Sequence, residues 1–427
     1  MVAYVRTHTA RSERLAHAVP AGAPGPGSGP GRRGVALIEL LVALALGLFL
    51  VGGIMQILGS NQTSYRLTEV TARSQENGRY ALRVLSRQFR QNRSTACRDI
   101  ALEAAAEGGL GLSRAVKSCA LLADPINCTG DPLIGTATPL GYTVSTPAEG
   151  SLTDLPGTGA CAEVGQAATA RCAVGQRWLR GDVLVSWGVS GEGLYIVKPQ
   201  PADLDTRDIT LLDASGSVAI VDADFRGGHL AMISDCGISD IFTISNPAAD
   251  DPLRVLGHAV ERSGVTINTG DSLSALNYNA AGPRPRVFPF DLVVGFICCV
   301  DQNTGRVQGG DVGAVANCTN DTARYRPALC VWSASGGSTQ ALTPDVADLS
   351  VRYHVRSDTT GSTAEDVADW SLVTSAQVRL LVTGGDEVKQ SQESPQNGDL
   401  GVGMPQDRRL YHVFETTVAI RSRDPNQ

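Results

Sequence analysis

Aromatic side chains are scarce in this sequence, and cysteine is missing from its first 96 residues. Phe, Trp and Tyr make up only 5% of the 427 residues, whereas Gly occurs 47 times. This combination is typical of a chain with many turns and long loops, and it argues against a compact helical bundle. The length is sufficient for one sizeable core or two small ones.

The usual motifs for metal, phosphate and dinucleotide chemistry are also lacking. The sequence contains no Cys-x-x-Cys, and no spacing of Cys and His fits a zinc site. It contains no Walker phosphate loop, and its Gly-x-Gly-x-x-Gly match at residues 29–34 lies in a Gly- and Pro-rich stretch and not after a predicted strand, as dinucleotide binding requires. The sequence therefore predicts no cofactor, no metal and no enzymatic activity.

One tetrapeptide matches a hydrolase motif, the GDSL at residues 270–273. A nucleophilic Ser272 would need a His held beside it by an acid, and the companion sequence blocks of that hydrolase family are absent. We interpret the match as a chance turn. A membrane-anchored periplasmic enzyme stays as an alternative hypothesis for which the sequence supplies no site.

Two further patterns resemble ligand sites only in part. The segment 301–312 begins like a calcium loop with Asp301, Asn303 and Gly305, but it lacks the glycine at position six and the final glutamate. A turn capped by Asx side chains is the better interpretation. Isolated histidines, which we expect at the surface or in the core and not as ligands, are His229, His258, His354 and His412.

Charge is unevenly distributed along the chain. The net charge is +4 over residues 1–34 and +6 over residues 60–98, which leaves −16 for residues 99–427. This negative net charge argues against non-specific binding of nucleic acid by the C-terminal part of the chain. The basic segment and the acidic part either attract one another between neighbouring copies or are ordinary solvated surfaces.

Residues 35–58 form the longest apolar run, and they contain a single charge, Glu39. As a helix, 24 residues span roughly 36 Å, enough to cross a hydrocarbon layer of ~30 Å. Arginines precede the run, so we expect a cytoplasmic N-terminus, an exported C-terminal part and a location in the bacterial inner membrane. No small-residue site for an ordinary signal peptidase follows it.

All the cysteines follow this run, which favours disulfides in an oxidising compartment over buried free thiols. Because a disulfide between adjacent residues strains the peptide between them, Cys298 and Cys299 are expected to bond to different partners. The full set is Cys97, Cys119, Cys128, Cys161, Cys172, Cys236, Cys298, Cys299, Cys318 and Cys330.

Glu39 is the most informative residue in the apolar run. A carboxylate within lipid costs ~2.5–3.5 kcal/mol on insertion scales, so it needs a cationic partner. The run contains no cation. A cut after Gly34 would create one, the amine of a new N-terminus at Val35.

The stretch RRG-VALIE-LLVALALGLFL resembles the class III signal of type IV prepilins, with basic Arg32 and Arg33 before the glycine. The resemblance implies that a prepilin peptidase cuts between Gly34 and Val35 and methylates the Val35 amine. It also implies that Glu39 neutralises the amine of a neighbouring subunit during assembly. Val35 stands where this family usually has Phe.

Beyond the apolar run, helical periodicity predicts an amphipathic helix to about residue 92, with arginines largely off its apolar stripe of Leu67, Val70, Ser74, Ala81, Leu85 and Phe89. Period-two patterns then predict half-buried, antiparallel strands. Their aligned residues are Val183, Val185, Trp187 and Val189; Leu349, Val351, Tyr353 and Val355; Val378, Leu380 and Val382; and Phe414, Thr416, Val418 and Ile420. Segments 101–180 and 300–345 are expected to be irregular loops.

Pieces such as GDVLV, LAMISDC, VADLSVRYHV and RRLYHVFETTVAIRSR resemble the PilW type of minor pilin. The fold expected is α+β: a long N-terminal helix packed on an antiparallel, β-rich, disulfide-stabilised head. The expected organisation is a removed cytoplasmic leader (1–34), a transmembrane or filament-core helix (35–58), its amphipathic continuation (59–95) and a periplasmic head (96–427).

The resemblance implies a role in initiating type IV pilus assembly, supporting adhesion, twitching motility or DNA uptake. The implied partners are prepilin peptidase, other minor pilins, the major pilin and a large tip adhesin. The alternative is a minor pseudopilin of type II secretion, which carries the same N-terminal signal but for which this head is large.

Overall fold

A computed structural model of the chain describes residues 37–91, 116–124, 127–132, 141–142, 177–189, 193–196, 209–212, 225–234, 239–245, 255–270, 273, 285–308, 318, 321–335, 339–355 and 360–420. The chain divides into two compact units, Met1–Asn61 (the N-terminal unit) and Gln62–Gln427 (the C-terminal unit).

A single long helix, α1, extends over Leu37–Gln91. Its second part carries a buried stripe at the predicted spacing, with Val70, Ser74, Ala81, Leu85 and Phe89 at most 2% exposed. Side chains three, four or seven positions apart share one face of a helix, so this stripe can be buried while the arginines between its members stay in solvent. The prediction was wrong at the start of the stripe, where Leu67 is 42% exposed.

The described residues contain seventeen strands and two short 3₁₀ turns, at Cys119–Leu121 and Trp370–Leu372. The first strands are β1 (Leu122–Asp124), β2 (Thr129–Pro132), β3 (Gly141–Tyr142), β4 (Trp178–Val189), β5 (Leu194–Ile196), β6 (Ile209–Leu212), β7 (Leu230–Ser234), β8 (Ser239–Thr243) and β9 (Val255–Leu256). The others are β10 (Glu261–Arg262), β11 (Val265–Thr266), β12 (Arg286–Asp301), β13 (Tyr325–Ser333), β14 (Thr339–Pro344), β15 (Val346–Val355), β16 (Val373–Glu387) and β17 (Arg409–Ala419).

Ten of these strands form one sheet centred on β12, which pairs with β13 and β7 along one side and with β4 and β5 along the other. β14 continues this sheet beyond β13. A second sheet has the order β15-β16-β17, and β1-β2 and β10-β11 are separate hairpins. All the strand pairs named here are antiparallel, as predicted.

Two main cores lie on opposite faces of the large sheet. One gathers aromatic residues including Trp187, Phe290 and Phe296. The other lies among α1, the large sheet and the three-stranded sheet, where Leu85 of α1 meets residues such as Ile297 and Leu380. The predicted arrangement of a long helix packed on antiparallel sheets is therefore confirmed.

Three disulfides lie in the part of the chain that the structure describes, namely Cys119–Cys128, Cys298–Cys330 and Cys299–Cys318. Adjacent residues of a strand point to opposite faces of a sheet, so Cys298 and Cys299 reach different partners, as predicted. The remaining cysteines, Cys97, Cys161, Cys172 and Cys236, lie outside the described residues.

The prediction of irregular loops was wrong in two places. Segment 300–345 contains β13 and β14, and segment 101–180 contains β1 to β3 and the start of β4. β12, with sixteen residues, was not predicted as a strand. Its residues 296–300 are buried on both faces, and such strands have a continuous apolar sequence that lacks the alternation of a half-exposed strand.

Candidate assembly site

The N-terminal unit exposes a nearly unbroken apolar surface. All its large aliphatic and aromatic side chains from Leu37 to Leu58 are at least half exposed, with Phe49 at 84%. The best window of α1 has a mean hydropathy of 2.5, and none of that window is buried. By length and composition, this helix is apolar enough to cross a membrane.

Glu39 lies in the first turn of α1 and is exposed. The positive end of the helix dipole favours an acid at this position by about 0.3–1 kcal/mol, which is less than the ~2.5–3.5 kcal/mol that a carboxylate costs within lipid. Residues 37–61 contain no Lys, Arg or His, and the first such residue after Glu39 is Arg66. The two residues are 27 positions apart, which corresponds to ~40 Å of helix. A counter-charge for Glu39 in lipid must therefore come from outside this segment.

The other residues of the predicted processing site lie outside the described residues. These are Arg32, Arg33, Gly34 and Val35. The cut and the methylated amine therefore stay predictions, and Glu39 is the one member of the set with a described position.

Two glycines allow α1 to approach the three-stranded sheet closely. A Cβ on Gly78 would lie within 2.6 Å of three ring atoms of Phe414 on β17. A Cβ on Gly384 of β16 would overlap the backbone and side chain of Val70. The helix is thus held against β16 and β17 at a distance that only glycine permits at these points.

Residues 314–422, which include β13 to β17, match the family model described as PilW, Type IV Pilus-assembly protein W. The C-terminal region of this chain thus matches the PilW family, and residues 314–422 are therefore called the PilW domain. No curated protein and no solved structure matches the chain. The PilW domain contributes the whole three-stranded sheet and one edge of the large sheet, the two surfaces beside α1.

A charged cluster joins the PilW domain to β4. The backbone N–H of Val351 donates to Asp182 Oδ2 at 2.7 Å, and the N–H of Gly401 donates to Asp348 Oδ2 at 2.6 Å. Burial raises the pKa of Asp182 to about 7 and also raises the pKa of Asp348. Burial lowers the pKa of the Arg180 guanidinium, against the effect of Asp348.

A second contact of the PilW domain fixes the segment between β16 and β17. Asp399 accepts hydrogen bonds from the Ser350 hydroxyl at 2.6 Å and from the guanidinium groups of Arg352 and Arg379. Leu400 is buried against Ala347 and Leu381 on the same side. This segment therefore covers the face of the three-stranded sheet opposite α1.

The calcium-like segment 301–312 begins with a turn that Asp301 caps, as interpreted from the sequence. The N–H of Asn303 donates to Asp301 Oδ1 at 2.8 Å, and Arg324 donates to Asp301 Oδ2 through Nε and Nη2 at 3.0 and 2.8 Å. This hydrogen bonding by Arg324 lowers the pKa of Asp301. A carboxylate already occupied by a guanidinium is a poor cation ligand.

The other sites weighed in the sequence are not brought together. Ser272 lies outside the described residues, and the four isolated histidines lie on different segments. His258 is 3% exposed and packs edge-on against Phe242. Within the described ranges, no group of three His, Cys, Asp or Glu side chains is arranged to hold a metal ion.

Sequence reasoning missed the charged cluster and the two close-approach glycines. Asp182 stands in GDVLV and Asp348 in VADLSV, where each reads as a polar residue at the edge of a strand. Their proximity depends on the contact between β4 and β15, which are far apart in sequence. No local signal indicates such a pairing.

Proposed function

We propose that this chain is a minor pilin that prepilin peptidase processes and that takes part in initiating assembly of a type IV pilus. The observation that carries the proposal is Glu39, the only charge in the exposed apolar segment 37–58 of α1, in a chain whose C-terminal region matches the PilW family. The segment 1–34 is a cytoplasmic leader that is removed, 35–58 crosses the inner membrane and later lies in the filament core, 59–95 continues the helix, and 96–427 is periplasmic.

The chemistry of assembly follows from the isolated carboxylate. Cleavage after Gly34 frees the amine of Val35, which stays cationic when methylated. A carboxylate in lipid is stabilised when a neighbouring subunit places such an ammonium beside it, because the pair offsets the cost of either charge alone. Glu39 thus favours entry of this subunit beside other minor pilins and the major pilin. The filament then supports adhesion, with a large tip adhesin as a partner, or twitching motility or DNA uptake.

Replacing Glu39 tests the pairing. Glu39→Ala and Glu39→Gln should leave the protein at its normal level in the membrane fraction but remove it from sheared pili and reduce pilus number. Glu69→Gln is the matched control, since it removes an exposed acid of α1 that pairs with Arg73. Normal piliation in both Glu39 variants would contradict the role of Glu39. A secretion defect with normal pili would indicate the pseudopilin alternative.

Replacing Gly34 tests the cut. Gly34→Leu should leave the leader attached, because a bulky side chain before the scissile bond obstructs the peptidase. Intact-mass measurement of the membrane-extracted protein distinguishes the two lengths, and N-terminal sequencing of the unaltered protein should begin at methylated Val35. A mature-length chain in the Gly34 variant would refute the assigned cleavage position.

A further inference from the structure

A groove lies between the outer flank of α1 and strand β14, within the C-terminal unit. Its volume is about 550 Å³, and it is lined by Ala72, Gln75, Glu76, Asn77, Arg79, Tyr80, Arg83, Leu342, Thr343 and Pro344. Ligand pockets in proteins have volumes of about 300–1,000 Å³, so this groove is large enough to hold several side chains. None of the lining residues belongs to the N-terminal unit, which carries Glu39.

One wall of the groove carries a row of exposed arginines. Arg79 and Arg83 are one helical turn apart and exposed, and neither forms an ion pair in the part of the chain that the structure describes. Arg87 and Arg90 extend the row, since all four lie within about 80° of one another around the helix axis. Arg73 contrasts with them, because it pairs with both Glu69 and Asp386.

The opposite wall is the edge of a sheet. In the described residues β14 pairs only with β13, and its other side has no strand beside it. Leu342 sits at an irregularity, since Ala341 and Thr343 pair with consecutive residues of β13. An unpaired strand edge is a template to which an extended peptide can add through main-chain hydrogen bonds.

A buried hydroxyl lines the groove without a partner. Thr343 is 2% exposed, and its Oγ1 has no hydrogen bond within the described residues. Buried polar groups in native proteins are nearly always hydrogen-bonded, so such an atom beside a groove points to a ligand. Asn77 Nδ2 donates to the carbonyl of Pro344 at 3.2 Å, which ties the helix to the strand and fixes the two walls.

We propose that this groove is a docking site for an extended acidic segment of a partner protein. The row of guanidinium groups selects carboxylates, and the strand edge selects an extended backbone. Glu76 of α1 is the one acid among the lining residues, and β14 carries no charged side chain. The negative charge of Glu76 therefore weakens binding of an acidic segment. Removing that charge should strengthen binding, which is a second test with the opposite sign.

Binding of a peptide to the purified full-length protein in detergent tests this docking site. The probe is a labelled peptide of alternating Glu and Thr, and the comparison peptide has Gln in place of Glu. The Glu peptide should bind, and the Gln peptide should not. Arg79→Glu with Arg83→Glu should weaken binding about tenfold or more, and salt should weaken it too. Glu76→Gln should strengthen binding about twofold.

The matched control is Arg66→Glu with Arg306→Glu, which makes the same change in net charge at exposed positions away from the groove. Equal weakening by the control pair would overturn the proposal in favour of bulk charge, as would equal binding of both peptides or no binding. Circular dichroism establishes that each variant is folded before it is measured.

A second copy of this chain is the other candidate occupant, through its exposed acids Glu365, Asp366 and Asp369. Sedimentation of the full-length protein decides between the two. Self-association that competes with the Glu peptide and disappears in the Arg79, Arg83 variant would overturn the assignment to a different protein. A monomer that binds the Glu peptide supports it.

Discussion

Asp182 gives the protein a stability that should depend steeply on pH. Burial raises its pKa from 3.8 to about 7, and the nearby charges of Asp348 and Asp399 act in the same direction. The Val351 N–H and the positive charge of Arg352 act against the rise. The folded protein therefore binds a proton at this site over a pH range in which the unfolded chain has released it.

The sign and size of the effect follow from this difference. Because the folded pKa lies above the unfolded value, the contribution of Asp182 to stability is fully present below pH 3.8 and is lost as the pH rises through about 7. One pKa unit corresponds to 1.36 kcal/mol, so the loss approaches about 4 kcal/mol by about pH 8. Asp182→Asn removes the titration but keeps an oxygen that accepts the Val351 N–H. The variant should equal the unaltered protein in acid and exceed its free energy of unfolding by up to about 4 kcal/mol at pH 8.

Urea unfolding followed by tryptophan fluorescence measures this difference. All four tryptophans, Trp178, Trp187, Trp332 and Trp370, lie in the C-terminal unit, so the signal reports that unit alone. Glu365→Gln, which removes an exposed acid, serves as the control and should leave the pH profile unchanged. If the curves for Asp182→Asn and the unaltered protein run parallel from acid to alkaline pH, the reasoning about burial is refuted.

Two further predictions concern packing and covalent links. Gly78→Ala should lower the free energy of unfolding by about 1–3 kcal/mol because the new methyl group meets the Phe414 ring. Gly59→Ala is the control and should not lower the free energy of unfolding, since a Cβ there has nothing within 4 Å. Equal effects of the two changes would contradict the close approach of α1. Replacing both cysteines of the Cys298–Cys330 disulfide, which are 32 residues apart, should lower the free energy of unfolding by about 4 kcal/mol, because the unfolded chain regains the entropy of the closed loop. The same change at Cys119–Cys128, with a separation of 9, should lower it by about 2.5 kcal/mol. Chemical unfolding without reductant checks this order, and a larger loss for the shorter link would count against it.

The elements that the sequence predicted are those in which one face is buried and the other exposed. The stripe of α1 repeats at helical spacing, and β15 and β16 alternate, so that Leu349, Val351, Val378 and Leu380 all point into one core. Amphipathic patterns of this kind can be recognised from the spacing of apolar residues alone, without information on the surface against which they pack. Leu67 fits the same helical spacing but is exposed. The spacing identifies which face of the helix can be buried, but it does not show at which residue the packing against the sheets begins.

The elements that the sequence did not predict depend on contacts between distant segments. β12 is covered on both faces, so the sequence FICCV has no alternation to detect. The buried position of Asp182 depends on β15, and the need for glycine at position 78 depends on Phe414. In the last two cases the constraint lies in a residue more than 100 positions away, which no local window contains.

The two surfaces of α1 in the C-terminal unit place different demands on its sequence. The buried face requires Ala81, Leu85 and Phe89, whereas the arginines of the outer row are exposed and lie outside that core. Like charges at positions three or four apart destabilise a helix by about 0.2–0.5 kcal/mol per pair, and the outer row from Arg79 to Arg90 contains three such pairs. Glutamates at alternate positions would stabilise the same helix, as Glu69 does beside Arg73. The row therefore costs about 1 kcal/mol that packing does not recover, and a partner that brings carboxylates to the groove would offset that cost.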